Sequence, residues 1–395
     1  MRLRFTALAL ALVLTATVPS YPQGSSVPPR IKRLDGSTIT TGEIDATVTR
    51  LMRAAKVTGA GIAILNDSRV AYLKGYGFRD QEKKLPLTPD SVMSAASFSK
   101  AAFAYLVMQL VEEGTLDLDK PVYKYLPKPL PDYDAYRDLA GDPRYQKITA
   151  KMLLSHTSGF PNWRRFTEDG KLSINFEPGS RFAYSGEGID LLQLVVETVA
   201  KKPLADLMRE RVFQPLAMTR TSMVWEERFE SDYANGYDEQ ERSLGPQKRK
   251  HADAAGSMQT TIGDFARFVQ AVNEGKGLHK QTRERMLSAQ VQILSKHEFP
   301  TFSTETTDEN KKIRLSYSLG WGLYWTPYGR AFFKEGHDDG WRHYAVCFDR
   351  AGIGIVIMTN SSNGEGIYKE LLETLLKNTF TPIEWEGFTP YDAPK

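Results

Sequence analysis

The sequence predicts a mixed helix-and-sheet protein whose sheet is built from both ends of the chain. Runs rich in β-branched and aromatic residues, with turn signals between them, occur before residue 80 and again after residue 320. Between about residues 90 and 290 the apolar residues mostly follow helical spacing. Because the two sets of strands can complete one sheet, we expect a discontinuous sheet domain over 43–90 and 312–390. A mainly helical domain over 91–311 would be inserted between its two parts.

Individual elements follow from the apolar spacing along the chain. Helices are expected over 44–55, 98–113, 191–200, 262–274 and 367–378. Strands are expected over 61–65, 70–75, 320–325, 330–334, 344–349 and 353–359. The segment 98–113 is apolar almost all round, which indicates a buried helix rather than a surface one.

The composition is that of a folded globular protein. The 395 residues are 41% hydrophobic and 25% charged, and their formal net charge is +3. These proportions exclude a disordered or fibrous chain, and the balanced charge predicts no nucleic-acid partner. The single cysteine, Cys347, excludes an intrachain disulfide and a cysteine-rich metal site.

The first 20 residues have the layout of a secretory signal peptide. Arg2 and Arg4 precede an uncharged, mostly apolar run over 5–18, and small residues follow it. That run is shorter than the roughly 20 residues that span a bilayer. We therefore expect residues 1–20 to direct export to a secreted or periplasmic location, with no stable membrane insertion after cleavage. Residues 21–42, rich in Pro, Ser and Gly, are expected to be a linker.

One short motif suggests chemistry at the start of the predicted buried helix. Ser97-Phe98-Ser99-Lys100 is the only Ser-x-x-Lys sequence of the chain. Residues three apart share a helix face, so Lys100 would lie one turn from Ser97. A helix N-terminus favours a serine oxygen that becomes negatively charged, and a desolvated lysine can accept the serine proton. The alternative is a serine that only caps the helix, beside an exposed lysine.

Further motifs follow in a fixed order along the chain. They are LLSHTSG at 153–159, FEPGSRFAYS at 176–185, AGSM at 255–258 and GHDDGW at 336–341. With these motifs the sequence resembles the serine β-lactamase and penicillin-binding-protein-like family, on its class C side. The resemblance implies an antiparallel sheet flanked by helices, of the β-lactamase/transpeptidase type, and it implies neither a cofactor nor a metal.

The resemblance also implies catalytic roles for four residues. Ser97 would be the acylated nucleophile, Lys100 would help to activate it, and Tyr184 would be the general-base partner. His337 would stand where many relatives carry the lysine of a Lys-Thr-Gly motif, as a second cation near Tyr184.

An oxyanion hole needs two donors directed at the developing charge. The resemblance implies that these are the backbone N–H of Ser97 and one near Gly340. Asp339 would belong to the same substrate-binding segment. Trp341 is expected either to line the pocket or to belong to the core.

Two departures from the family pattern concern the substrate. Gly186 stands where a Tyr-x-Asn motif usually ends in asparagine, and His337-Asp338-Asp339 replaces Lys-Thr-Gly. Both changes favour ester or small acyl substrates. We therefore expect an exported serine hydrolase that forms an acyl-enzyme with a small-molecule acyl substrate, like a β-lactamase or D-Ala-D-Ala carboxypeptidase. A carboxylesterase and a slow-turnover penicillin-binding sensor are the alternatives.

Overall fold

The structure is a computed structural model that describes residues 30–393, so the predicted signal peptide lies outside the described residues. In chain order, the strands are β1 (Arg30–Lys32), β2 (Thr38–Thr40), β3 (Gly59–Asn66), β4 (Arg69–Asp80), β5 (Leu85–Pro86), β6 (Met93–Ser94), β7 (Gly236–Tyr237), β8 (Ser243–Gly245), β9 (Gln259–Thr260), β10 (Val291–Gln292), β11 (Ser316–Tyr317), β12 (Gly322–Thr326), β13 (Gly329–Asp338), β14 (Trp341–Phe348) and β15 (Ile353–Thr359).

The α-helices are α1 (Thr41–Ala55), α2 (Phe98–Glu112), α3 (Ala150–Leu154), α4 (Gly186–Ala200), α5 (Leu204–Met208), α6 (Ile262–Glu274), α7 (Lys280–Met286), α8 (Glu309–Lys312), α9 (Tyr368–Leu371) and α10 (Ile383–Glu386). Two π-helical turns continue α5 and α9, over Arg209–Phe213 and Leu372–Leu376. Short 3-10 turns lie at Val122–Tyr125, Leu130–Asp132, Asp134–Leu139, Pro143–Lys147, Arg164–Phe166, Glu227–Phe229 and Gly364–Ile367.

One antiparallel sheet joins strands from the two ends of the chain. Its strand order is β10-β11-β12-β13-β14-β15-β3-β4-β5. The join is the antiparallel pairing of β15 with β3, in which Ile357 lies opposite Ile62. The predicted fold class, an antiparallel sheet flanked by helices and built from both chain ends, is confirmed.

Side chains that alternate along each strand give this sheet two apolar faces. Along β15, Val356 and Met358 belong to a first core that includes residues of α2, α4 and α6. Ile355 and Ile357 belong to a second core that includes residues of α1 and α9. Because both faces are covered, β3 and β15 are apolar over nearly their whole length instead of alternating with polar residues.

Residues 30–42 are folded, contrary to the prediction of a linker over 21–42. β1 and β2 form an antiparallel pair that buries Ile31 and Ile39 in the second core. Thr40 then caps α1: its side chain accepts the N–H of Glu43, and the Glu43 carboxylate accepts the N–H of Thr40. This reciprocal capping box explains why the helix begins three residues earlier than the apolar spacing indicates.

The inserted segment contains less regular helix than its apolar spacing predicts. Between α2 and α4 the described chain forms mainly 3-10 turns and loops, with α3 as a single short helix. Proline lacks the N–H that a helix interior requires, and this stretch contains Pro121, Pro127, Pro129, Pro131, Pro143, Pro161 and Pro178. Within residues 30–393 no helix combines the length and apolarity needed to cross a bilayer.

Candidate active site

Ser97 lies immediately before α2, the most deeply buried helix of the first core. The preceding residue, Ala96, has a φ of +46°, in the left-handed region that alanine rarely adopts. The Ser97 side chain makes no capping hydrogen bond to the helix, and the residue is only partly buried. The alternative of a serine that merely caps its helix is therefore wrong.

Lys100 lies one turn further along α2 and is only 1% exposed. Its Nζ atom donates a 3.0 Å hydrogen bond to Oγ of Ser97 and a 2.7 Å hydrogen bond to the carbonyl oxygen of Ala255. Burial, and then the nearby Lys334 ammonium, lower the pKa of Lys100 to about 8. A lysine with this pKa is partly deprotonated near neutral pH and can then accept the Ser97 proton.

Tyr184 lies before α4, and its ring lies close to two lysine side chains. The ring centroid is 5.2 Å from Nζ of Lys100 and 4.9 Å from Nζ of Lys334. Burial and the Glu335 carboxylate raise the pKa of Tyr184 well above its ordinary value, whereas the nearby Ser97 hydroxyl lowers it. Tyr184 is therefore a neutral phenol at pH 7, and it can donate a proton.

The cation that contacts Tyr184 is Lys334, and the predicted His337 lies elsewhere. Lys334 is fully buried on β13; its ammonium donates a 3.0 Å hydrogen bond to the Tyr184 hydroxyl and pairs with the Glu335 carboxylate. The His337 side chain is 58% exposed, and its Nδ1 atom lies 3.7 Å from the Glu365 carboxylate. Side chains three apart on a strand project from opposite faces, so these two residues cannot reach the same hydroxyl. The Lys-x-Gly spacing of residues 334–336 is the sequence signal that identifies this lysine.

The three residues predicted near the oxyanion hole make other contacts. The N–H of Gly340 donates a 3.0 Å hydrogen bond to Oγ of Ser362 in a buried environment. Trp341 has no exposed surface and belongs to the first core. Asp339 is exposed in the two-residue turn between β13 and β14, and its N–H donates to the Asp338 side chain. Within residues 30–393, the structure thus gives none of them a hydrogen bond to Ser97, and Trp341 is a core residue.

The buried ring of His156 packs against the ring of Tyr184. The two ring centroids are 4.3 Å apart, and Nδ1 of His156 accepts a 3.2 Å hydrogen bond from the N–H of Ser185. Burial, followed by the charges of Lys334 and Lys100, lowers the pKa of His156 well below its ordinary value. The imidazole is therefore neutral and positions the tyrosine.

Carboxyl groups that no local motif marks lie near both lysines. Burial and then the Asp253 carboxylate raise the pKa of Asp190 in α4, and both aspartates in turn favour the charged form of Lys100. Near Lys334, burial and then the Glu335 carboxylate raise the pKa of Glu298. Asp190 and Glu298, whose pKa values are raised, therefore hold their protons to higher pH than ordinary carboxyl groups do.

This fold and this arrangement of serine, lysine and tyrosine define the β-lactamase-fold class of proteins. The profile of the family described as Beta-lactamase matches residues 44–376. The chain belongs to this family.

Two curated relatives match parts of the chain. Protein flp of Staphylococcus aureus (strain NCTC 8325 / PS 47) is 30% identical over 196 residues, which cover 46% of this chain and 38% of flp. Esterase EstB of Burkholderia gladioli is 29% identical over 243 residues, which cover 54% of this chain and 60% of EstB. The chain thus spans less than two thirds of the length of either relative.

Two solved structures share the fold over most of the chain. The octameric penicillin-binding protein homologue from Pyrococcus abyssi superposes with a TM-score of 0.70 at 24% identity, covering 87% of this chain and 79% of that one. D-alanine carboxypeptidase AmpC from Burkholderia cenocepacia gives a TM-score of 0.64 at 23% identity, covering 82% and 95%.

Proposed function

We propose that the protein is an exported serine hydrolase that forms an acyl-enzyme on Ser97 and hydrolyses uncharged acyl esters. The observation that carries the proposal is the 3.0 Å hydrogen bond that joins Nζ of the buried Lys100 to Oγ of Ser97, because Nζ can accept the serine proton once the lysine is neutral. A serine hydroxyl becomes an effective nucleophile only beside a group that takes its proton. Lys100, whose pKa burial lowers to about 8, is that group.

Acylation follows from the protonation states of the site. The neutral amine of Lys100 takes the proton of Ser97 as the serine oxygen attacks the ester carbonyl carbon. The tetrahedral intermediate then collapses, and its C–O bond to the alcohol breaks. Tyr184 gives its phenolic proton to the departing oxygen, and the Lys334 ammonium, 3.0 Å away, stabilises the transient phenolate. The proton held on Lys100 restores the phenol, and water releases the acyl group by the reverse transfers.

The second oxyanion donor follows from the register of the β13–β14 hairpin. Asp338 lies opposite Trp341, and these two residues close the two-residue turn. Backbone groups alternate in direction along an antiparallel pair, so the N–H of His337 points away from β14. On that side, the pairing with β12 ends where Gly322 lies opposite Phe333, so β12 has no residue opposite His337. We infer that this N–H, together with that of Ser97, binds the oxyanion.

The charges around Lys334 favour an uncharged ester over a β-lactam or a D-Ala-D-Ala peptide. Both of those substrates carry a carboxylate that needs a free cation at the site. The ammonium of Lys334 already pairs with the buried Glu335 carboxylate. The exposed Arg249 pairs with Asp338 at 3.1 Å, and this pairing also weakens the attraction of the arginine for a substrate carboxylate. The similarity to an esterase from Burkholderia gladioli supports the same choice.

The test compares p-nitrophenyl esters with a chromogenic cephalosporin. We expect turnover of p-nitrophenyl acetate and butyrate that is lost in Ser97→Ala, with much slower turnover of the cephalosporin. Faster cephalosporin turnover would assign a β-lactamase instead. A stable penicillin adduct without release would assign the slow-turnover sensor.

Export is tested separately by expressing the full chain in a bacterial host. We expect the secreted or periplasmic protein to begin after the apolar run over 5–18. An exported protein that retains Met1 would contradict the proposed signal peptide.

A further inference from the structure

Gly186 permits a close approach that no other residue type would allow. A Cβ atom built on it would lie 2.5 Å from Cη2 and 2.6 Å from Cζ2 of Trp163. Carbon atoms do not approach so closely, and the two contacts are with a rigid ring. The indole of Trp163 therefore occupies the space that any side chain at position 186 would need.

The loop that carries Trp163 is held in place on both sides of the indole. On one side, the carbonyl oxygen of Asn162 accepts the N–H of Gly186 at 3.0 Å and that of Glu187 at 3.1 Å. On the other side, the Arg164 guanidinium pairs with the buried Glu187 carboxylate at 2.6 Å. These bonds satisfy the free N–H groups at the start of α4 and fix the indole relative to that helix.

The fixed indole faces the catalytic groups. Its ring centroid lies 5.6 Å from Nζ of Lys100, the atom that donates to Oγ of Ser97. The indole packs against the first core but remains partly exposed, so it presents an apolar surface at the edge of the site. The position that an amide side chain could have occupied, two residues after Tyr184, is thereby apolar.

We propose that Trp163 determines specificity for the acyl part of the substrate. Its indole forms an apolar wall that favours hydrocarbon acyl groups. It disfavours acyl groups that carry an amide on the carbon adjacent to the ester carbonyl. An amide placed against this wall would lose its water without gaining a hydrogen-bond partner there, which is unfavourable. The proposal rests on the proposed ester hydrolysis and names the acyl class that the site accepts.

The test uses two p-nitrophenyl esters of similar length. Pentanoate has a hydrocarbon acyl chain, and N-acetylglycine places an amide within a chain of comparable length. The measured quantity is the ratio of kcat/KM for pentanoate to kcat/KM for N-acetylglycine, compared between variants so that the intrinsic reactivities cancel. Fluorophosphonate labelling of Ser97 reports independently that each variant has an assembled nucleophile.

We expect Trp163→Ala to lower the ratio about tenfold, the size of effect that changes in an apolar specificity pocket produce. Trp163→Gln, which keeps bulk but introduces an amide, should lower it further. Trp163→Ala with Gly186→Asn should also gain rate on the N-acetylglycine ester. Glu168→Ala, an exposed position of the same loop, is the matched control and should leave the ratio unchanged.

The outcomes separate this proposal from the proposed function. In one outcome, Ser97 is labelled in both Trp163→Ala and Trp163→Gln, but the ratio stays within about twofold of the parent value. That change is too small for a specificity pocket, so the role of Trp163 would be refuted while the proposed hydrolase activity would not. If the parent chain neither labels at Ser97 nor cleaves either ester, the hydrolase itself is refuted, and this proposal with it.

Discussion

The Nζ atom of Lys334 donates a 3.0 Å hydrogen bond to the hydroxyl of Tyr184, although the two residues are 150 positions apart in the chain. Lys334 lies on β13 of the sheet, and Tyr184 lies just before α4 in the inserted segment. The bond therefore joins the two parts of the fold at the candidate site. It also places a buried positive charge where a tyrosine that has lost its proton would need one.

Removing this charge should impair catalysis more than it impairs folding. Lys334→Met alone would leave the buried Glu335 carboxylate without its partner, so the informative variant combines Lys334→Met with Glu335→Gln. We expect kcat/KM for an alkyl ester such as ethyl butyrate, whose alkoxide needs the Tyr184 proton to leave, to fall by about 10²-fold or more, as when a transition-state donor is lost. Thermal unfolding checks that the double variant is folded.

His337→Ala provides the comparison for that experiment. The variant removes an exposed side chain and keeps the backbone N–H that we assign to the oxyanion hole. We expect a much smaller loss of kcat/KM than in the Lys334 variant. A larger loss of kcat/KM in His337→Ala than in the Lys334 variant would indicate that His337, and not Lys334, is the second cation of the site.

Ester hydrolysis should increase with pH as Lys100 loses its proton. Burial and the Lys334 ammonium lower the pKa of Lys100 to about 8, and only the neutral amine can take the serine proton. The active form is therefore scarce at pH 6 and predominant above pH 8. We expect kcat/KM to rise with pH through a midpoint near 8 and to level off about one unit higher, and no fall from Tyr184 should follow, because its pKa lies well above its ordinary value. A profile that is flat or falls between pH 7 and 9 would exclude Lys100 as the base.

Replacing both Asp253 and Asp190 by asparagine should move this pH profile to lower pH. Both carboxylates favour the charged form of Lys100, and the double variant prevents an ionised Asp190 from replacing the charge of Asp253. Asparagine retains an oxygen that can accept the 2.7 Å hydrogen bond from the N–H of Ala255. The midpoint of kcat/KM against pH should therefore fall, with the plateau reached earlier. An unchanged or higher midpoint in the double variant would show that these aspartates do not act on Lys100.

His156→Phe should destabilise the fold, since the N–H of Ser185 would lose its buried acceptor. An unsatisfied buried donor costs about 1–3 kcal/mol of the free energy of unfolding. His156→Asn is the matched variant, because its side-chain oxygen can accept this hydrogen bond and asparagine tolerates the φ of +55° at this position. Chemical denaturation should give a larger free energy of unfolding for the asparagine variant than for the phenylalanine variant. The reverse order would contradict the role of His156 as the acceptor for the N–H of Ser185.

The sequence predicted those site residues that lie in short local motifs. Ser97 and Lys100 are three apart on one helix, and the motif that contains Tyr184 follows a Pro-Gly turn. Lys334 was missed in favour of His337, although the Lys-x-Gly spacing of residues 334–336 marks it, because the alternation of side chains along β13 decides which of the two reaches Tyr184. Glu298 and Asp190 were missed for a related reason, since acids distant in sequence meet only after the chain has folded. The indole of Trp163 likewise could not be placed over Gly186 without the loop geometry.

The central claim, that Ser97 is the acylated nucleophile, is tested most directly by locating a covalent adduct. The protein is incubated with a fluorophosphonate, digested, and analysed by peptide mass spectrometry, with Ser97→Ala and Lys100→Met as controls. We expect a single adduct on the peptide that contains Ser97, absent in Ser97→Ala and greatly slowed in Lys100→Met. A Ser97 peptide that remains unmodified in the parent protein would contradict the account.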